Sequence, residues 1–206
     1  MAAATRRTLA HPVRVYLGTM TFGWDAQTSS AVGLPEARTF LERFDACGGE
    51  TIDSARIYAA GRTETILGDA MISASEAPRS PKRVTTKVHP SEPGGLSGVG
   101  IRSQLAASFD AMQVTHVDEL YLHQPDTAFG LEESLEACHT LVEEGNVGAI
   151  GMSNYHASEV ERAVEICRRN EWTPPTIYQG LYNPLNRLVE GELLPVLRQH
   201  GIKFCA

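Results

Sequence analysis

The sequence of 206 residues, 42% hydrophobic and 21% charged, is long and apolar enough to build one sizeable core. Its net charge of -7 excludes the clustered Lys and Arg surfaces that grip nucleic acid or an anionic membrane. Cys47, Cys138, Cys167 and Cys205 lie too far apart in sequence for the C-x-x-C pairs of a zinc or redox site, so no metal is expected and a reducing cytoplasm fits them best. The acid-free start around Arg6 and Arg7 runs straight into His11-Pro12-Val13-Arg14, which leaves no apolar segment for a signal peptide or membrane span, and a transit peptide would have to be very short.

Arg14 to Met20 reads as the first strand, and Pro35 to Cys47 as a helix with Ala37, Phe40, Leu41, Phe44 and Cys47 on one face. Pro35 falls in its first turn and Gly48 just past its end. Glu50 to Asp53 forms the second strand, followed by a helix marked by Ile66, Leu67, Ala70 and Met71. Arg83 to Val88 is the third strand, with Ile101, Leu105 and Met112 on the helix behind it. Asp118 to Leu122 is the fourth, and Leu131, Leu135, Cys138 and Val142 mark a helix that ends before Gly145. Val147 to Gly151 is the fifth, followed by Val160, Ala163, Val164 and Cys167 at helical spacing. Thr176 to Gln179 is the sixth; a helix near Gly191 to His200 stops at Gly201, and Ile202 to Cys205 is the seventh.

Strand and helix thus alternate with no linker, which makes residues 1–206 a single α/β domain. A repeat of roughly 30 residues allows either an eight-stranded (β/α) barrel or an open doubly wound sheet. The open sheet would place G-x-G-x-x-G after the first strand, and Thr21 to Leu34 lacks it. The Gly-rich stretch Gly94 to Gly100 follows the third strand instead, and reads as a flexible loop in preference to a phosphate cradle. A (β/α)8 barrel of the TIM type is therefore expected.

Such barrels assemble their active sites at the C-terminal ends of the strands. Asp53 ends the second strand, with Tyr58 five residues on; Lys87 lies near the end of the third, and His123 follows the fourth. Singly, Asp53 could cap a turn, His123 could be a structural imidazole and Tyr58 could be packing. Lys87 is harder to dismiss, because an ammonium at the end of an apolar strand is costly unless it reaches water or an acid. Together the four fit carbonyl reduction, which needs hydride at carbon and a proton at oxygen. Bringing a phenol from about 10 to about 8 takes about 2.7 kcal/mol of preferential phenolate stabilisation, within reach of a partly desolvated Lys87. Asp53 would hold Lys87 charged and aimed, and a neutral His123 would orient the substrate oxygen toward Tyr58.

The run Asp53-Ser54-Ala55-Arg56-Ile57-Tyr58, Lys87 within Val84 to Val88, and His123 within Tyr121 to Asp126 resemble the catalytic tetrad of the aldo-keto reductases in order and spacing. Gly151-Met152-Ser153-Asn154-Tyr155 and Tyr178 to Asn183 resemble that family's fifth- and sixth-strand motifs. The resemblance implies that Ser153, Asn154 and Gln179 contact a nicotinamide carboxamide, with Asp53 also beside the cofactor and Gly18, Thr19 and Met20 alongside the ring. Glu64 to Gly68, Ala137-Cys138-His139 and Tyr178 to Asn183 most resemble the aflatoxin-aldehyde reductase branch. That implies NADPH as reductant, a small-molecule aldehyde or ketone as substrate, and leaves a homodimer of the complete protein open.

The family's barrel has eight strands, with an aromatic after the seventh and a phosphate clamp around the eighth that hold the cofactor. This sequence reaches only the seventh, so the expectation is an incomplete barrel missing its C-terminal end. Two alternatives stand beside the reductase: a non-catalytic nicotinamide-binding module resembling the potassium-channel β-subunits, and an inactive fragment. Trp24, Phe22 and Phe129 fall in loops that could wall a substrate pocket, although an aromatic near a loop is more often local packing.

Overall fold

The computed structural model describes residues 13–25, 32–73 and 83–206. Its elements are β1 (Tyr16–Gly18), α1 (Leu34–Ala46), β2 (Thr51–Asp53), α2 (Arg62–Ser73), β3 (Arg83–Val88), α3 (Gly98–Met112), β4 (Glu119–Leu122), α4 (Leu131–Glu143), β5 (Ile150–Ser153), α5 (Ala157–Arg169), β6 (Ile177–Gln179), α6 (Leu193–Gln199) and β7 (Lys203–Cys205). The strands pair in parallel and in sequence order from β1 to β7. Among the described residues β1 and β7 do not pair, and the fold is an incomplete (β/α)8 barrel.

The sheet is strongly curled. Strands lie about 4.8 Å apart, so on a flat sheet β1 and β4 would be separated by three such spacings with side chains pointing the same way. Yet Tyr16 on β1 donates to Glu119 Oε1 on β4 at 3.0 Å, which requires their inner faces to turn toward one another.

Strand side chains alternate between two faces. Ile52, Val84, Val88, Leu120, Leu122, Ile150 and Met152 belong to the buried apolar cluster shared with the helices. From the helices it takes Leu41, Leu67, Leu105, Leu135, Val160 and Leu197, spaced so that each helix buries one stripe. The opposite face carries Tyr16, Asp53, Lys87, Glu119 and Tyr121, which meet one another instead. Gly151 on β5 serves this inner face: a Cβ there would come within 2.4 Å of the Tyr121 ring.

Several element limits differ from the sequence reading, each for a local reason. The first strand is only Tyr16–Gly18: Val13 and Val15 are exposed, and the pairing with β2 closes at Thr19, whose amide and hydroxyl both donate to Asp53 O. The fifth begins at Ile150, because the amide of Val147 is taken by Leu141 O at the end of α4 and Val147 meets Val117 only in an isolated bridge. The apolar face of α1 is narrower than expected, with Ala37 and Leu41 buried but Phe40 and Cys47 exposed. The last helix is shorter than its pattern, beginning at Leu193.

The Gly-rich stretch is an ordered turn into α3. Ser97 caps the helix by accepting from Gly100 N at 3.0 Å, while Asp126 takes Leu96 N at 2.8 Å and Glu133 takes Gly98 N at 2.9 Å. Two carboxylates thus already sit on the amides that a phosphate cradle would need free. Among the described residues no helix is long and apolar enough to cross a membrane.

Candidate active site

Three strands bring the inner polar residues together. Asp53 at the end of β2 is register-paired with Thr85 on β3, and Lys87 is paired with Tyr121 on β4. Side chains two apart on a strand share a face, so Thr85 and Lys87 both turn toward Asp53. Thr85 Oγ1 donates to Asp53 Oδ1 at 2.9 Å. Lys87 Nζ donates to both Asp53 oxygens at 2.8 Å and to Ser54 O at 2.7 Å. Lys87 is fully buried, so its desolvation is offset by a carboxylate in contact on two oxygens and by a carbonyl.

Two phenol rings flank that ammonium. Its nitrogen lies 5.3 Å from the centre of the Tyr58 ring and 5.6 Å from that of Tyr121. Tyr121 donates to Glu119 Oε2 at 2.7 Å, and this buried carboxylate also accepts from Tyr16, so Tyr121 is held from below. Tyr58 faces the rim, its ring 5.7 Å from His123, edge to face, and 6.2 Å from Trp24.

The phenol of Tyr58 is held above its ordinary value, opposite to the lowering expected from the sequence. Burial is the largest cause; Lys87 pulls down, but Asp53 pushes up because its charge offsets that of the ammonium. Tyr58 therefore carries its proton throughout the neutral range. His123 is pushed down to about 3, first by burial and then by the Lys87 and His89 charges, so its imidazole is neutral at pH 7. Its Nδ1 is buried without a hydrogen-bond partner among the described residues.

A cavity of about 340 Å³ opens beside these groups, lined by Asp53, His123, Ser153, Asn154, Gln179, Gly180, Leu181 and Ala206. It joins the acid of β2, the imidazole after β4 and the polar ends of β5 and β6. Asn154 adopts a left-handed backbone, φ 61°, which Asn tolerates better than most residues, and its amide nitrogen donates to His123 O at 2.9 Å and Ser153 Oγ at 3.1 Å. Its oxygen is left to accept. With the Gln179 amide, which can donate and accept, the rim offers the complement of a carboxamide. The residues present fit the carboxamide end of a nicotinamide.

Tyr58 and Lys87 do not line the cavity themselves but adjoin its lining residues His123 and Asp53. Gly18, Thr19 and Met20 do not line the cavity, and the Thr19 hydroxyl is committed to Asp53 O, where it fixes the end of β2. Of the three aromatics, Trp24 stands against Tyr58, Phe22 enters the core and stacks on Phe40, and Phe129 covers Gly95.

Sequence reasoning passed over two groups. His89 lies 5.2 Å from His123, edge to face, and its Nδ1 accepts from Ser91 N, which puts its proton on Nε2 when neutral. Its place two residues after Lys87, just past the end of β3, was the available signal. The second group is the turn that carries Tyr58. Ala59, Ala60 and Gly61 have φ of 47°, 53° and 89°, a left-handed run costing roughly 1–2 kcal/mol for each alanine. Arg56 Nη1 donates to Glu64 Oε2 on α2 at 2.7 Å, and Thr86 Oγ1 on the helix-facing side of β3 donates to Glu64 Oε1 at 2.6 Å.

The aldo/keto reductase family model matches residues 14–206. Aflatoxin B1 aldehyde reductase member 2 of Mus musculus is 42% identical over 192 residues, covering 92% of this chain and 50% of that protein. Aflatoxin B1 aldehyde reductase member 4 of Homo sapiens is 42% identical over 199 residues, 96% of this chain and 57% of that protein. Oxidoreductase sirO of Leptosphaeria maculans is 35% identical over 207 aligned positions, 96% of this chain and 60% of that protein. The chain spans about half the length of the curated relatives it matches.

Proposed function

Because this chain belongs to the aldo/keto reductase family, we propose that its inner sheet face is the reaction centre of an NADPH-dependent carbonyl reductase acting on aldehydes. The observation that carries the proposal is the buried Lys87 ammonium, bound to Asp53 and set against the ring of a protonated Tyr58.

NADPH, when bound, supplies the hydride that reduces the carbonyl carbon. Asn154, Ser153 and Gln179 hold the carboxamide end of the nicotinamide, and Asp53 lies beside it. His123, neutral and at the cavity edge, donates to the substrate oxygen and turns it toward Tyr58. As negative charge gathers on that oxygen, Tyr58 gives up its phenolic proton. The phenolate so formed faces Lys87, whose attraction is of most value in that charged state. Asp53, itself bonded by Thr85, and Ser54 O hold Lys87 in place, so it need not reorganise as the charge moves. Trp24 beside Tyr58 provides an apolar wall suited to an aldehyde with a hydrophobic body.

The test is isotope transfer: the purified protein is incubated with NADPH deuterated at nicotinamide C4 and an aromatic aldehyde, and the alcohol is analysed by mass spectrometry. The proposal expects one deuterium on the carbinol carbon. Saturable nucleotide binding with no alcohol formed would instead indicate a non-catalytic nicotinamide-binding module and overturn the proposal.

A further inference from the structure

We infer that Arg56 and Glu64 are positioning residues that clamp the left-handed turn carrying Tyr58 and so set the phenol against Lys87; this rests on the role proposed for Tyr58. Tyr58 lies five residues beyond the end of β2, so sheet pairing does not place it. Its place depends on the backbone from Ala55 to Glu64, of which three successive residues lie in a region that alanine avoids. Such a conformation persists only where its surroundings over-determine it.

The surroundings are specific. Arg56 N donates to Lys87 O at 3.1 Å, which ties the start of the turn to the strand bearing the ammonium. The Arg56 side chain then crosses the turn to Glu64, in the first turn of α2, bridging the two ends of the strained segment. Its guanidinium lies against Gly61, where a Cβ would come within 1.6 Å of Arg56 Nη2, so the turn and the guanidinium have one joint solution. The Glu64 carboxylate is fully buried and shared with Thr86, the neighbour of Lys87 on β3. The outer face of β3 thus fixes the turn through Thr86 and Glu64, while its inner face presents Lys87 to the ring that the turn delivers.

The bridge acts on geometry rather than on charge at the reacting atoms, since the Glu64 carboxylate is taken up by Arg56 and by Thr86 on the helix-facing side of β3. Its loss should therefore lower turnover while leaving nucleotide and substrate binding in place. A misplacement of about 1 Å at a reacting group can cost roughly 100-fold.

The experiment compares wild type, Glu64→Gln and the milder Arg56→Lys, which keeps a cation facing Glu64. Amide hydrogen exchange over residues 55–62 is read beside kcat, KM, nucleotide Kd and the melting temperature. For Glu64→Gln we expect exchange over 55–62 to quicken roughly tenfold with β5 unchanged, and kcat to fall roughly 10- to 100-fold with KM and Kd within about two-fold. Arg56→Lys should retain part of both properties. Unchanged exchange in both variants would overturn the inference, as would unchanged turnover of an active enzyme, or losses of kcat and Kd that simply follow the melting temperature. If the wild type reduces no carbonyl, the proposed function fails, and the exchange data alone then decide whether the pair fixes the turn.

Discussion

On the helix-facing side of the sheet, Ile52, Val84, Leu120, Leu122, Ile150 and Met152 pack against apolar helix stripes, and their chemistry is interchangeable so long as volume is kept. On the inner side, Tyr16, Asp53, Lys87, Glu119 and Tyr121 are equally buried in the main, yet each has a named partner. The two faces alternate residue by residue along the same strands. The difference is in what burial demands: an apolar side chain needs only contact, whereas a buried ion or phenol needs a partner of the right kind at hydrogen-bond distance.

Substitution should expose that difference most strongly on the inner face. Lys87→Met leaves the Asp53 carboxylate without its cation and should cost about 4 kcal/mol of folding stability in urea titration, the scale for breaking a buried pair. Adding Asp53→Asn should cost far less than the two single losses summed, since the pair acts as a unit. Full additivity would break the contrast between the faces. Leu120→Ala on the outer face should cost about 3 kcal/mol through the cavity it leaves, with no strong coupling to Asp53 or Lys87.

A pH-dependent effect belongs to His123. Its imidazole is held neutral in the fold down to about 3, while the unfolded chain takes up a proton near the ordinary value of 6.5. The unfolded state then binds more protons, so this contribution is fully present above pH 6.5 and is lost as pH falls toward 3, at no more than about 1.4 kcal/mol per pH unit. His123→Gln should remove that part of the acid sensitivity. An identical dependence in the variant would show that the imidazole is not buried neutral.

Much of the outer face was legible from periodicity, because Leu135, Cys138, Val160 and Cys167 recur at the spacing that one helical stripe requires. The inner face was legible as a set of residue types at strand ends, and β2, β3 and β4 do bring Asp53, Lys87 and His123 to one rim. The state of Tyr58 was not, since burial opposes Lys87 and only the folded packing reveals which wins. Nor was the Arg56 bridge, because the backbone reversal at Ala59 and Ala60 runs against the local preference of alanine. Phe22 and Phe129 follow the commoner fate of loop aromatics, local packing, the one against Phe40 and the other over Gly95.

The central claim is that Tyr58 supplies the proton in carbonyl reduction. It is tested most directly by pre-steady-state and steady-state reduction of an aldehyde by wild type and Tyr58→Phe, with nucleotide affinity measured in parallel. Removal of the hydroxyl alone should lower kcat by roughly 10²- to 10⁴-fold, with the Kd for NADPH within about two-fold of wild type. A Tyr58→Phe protein that reduces the aldehyde at the wild-type rate would contradict the account.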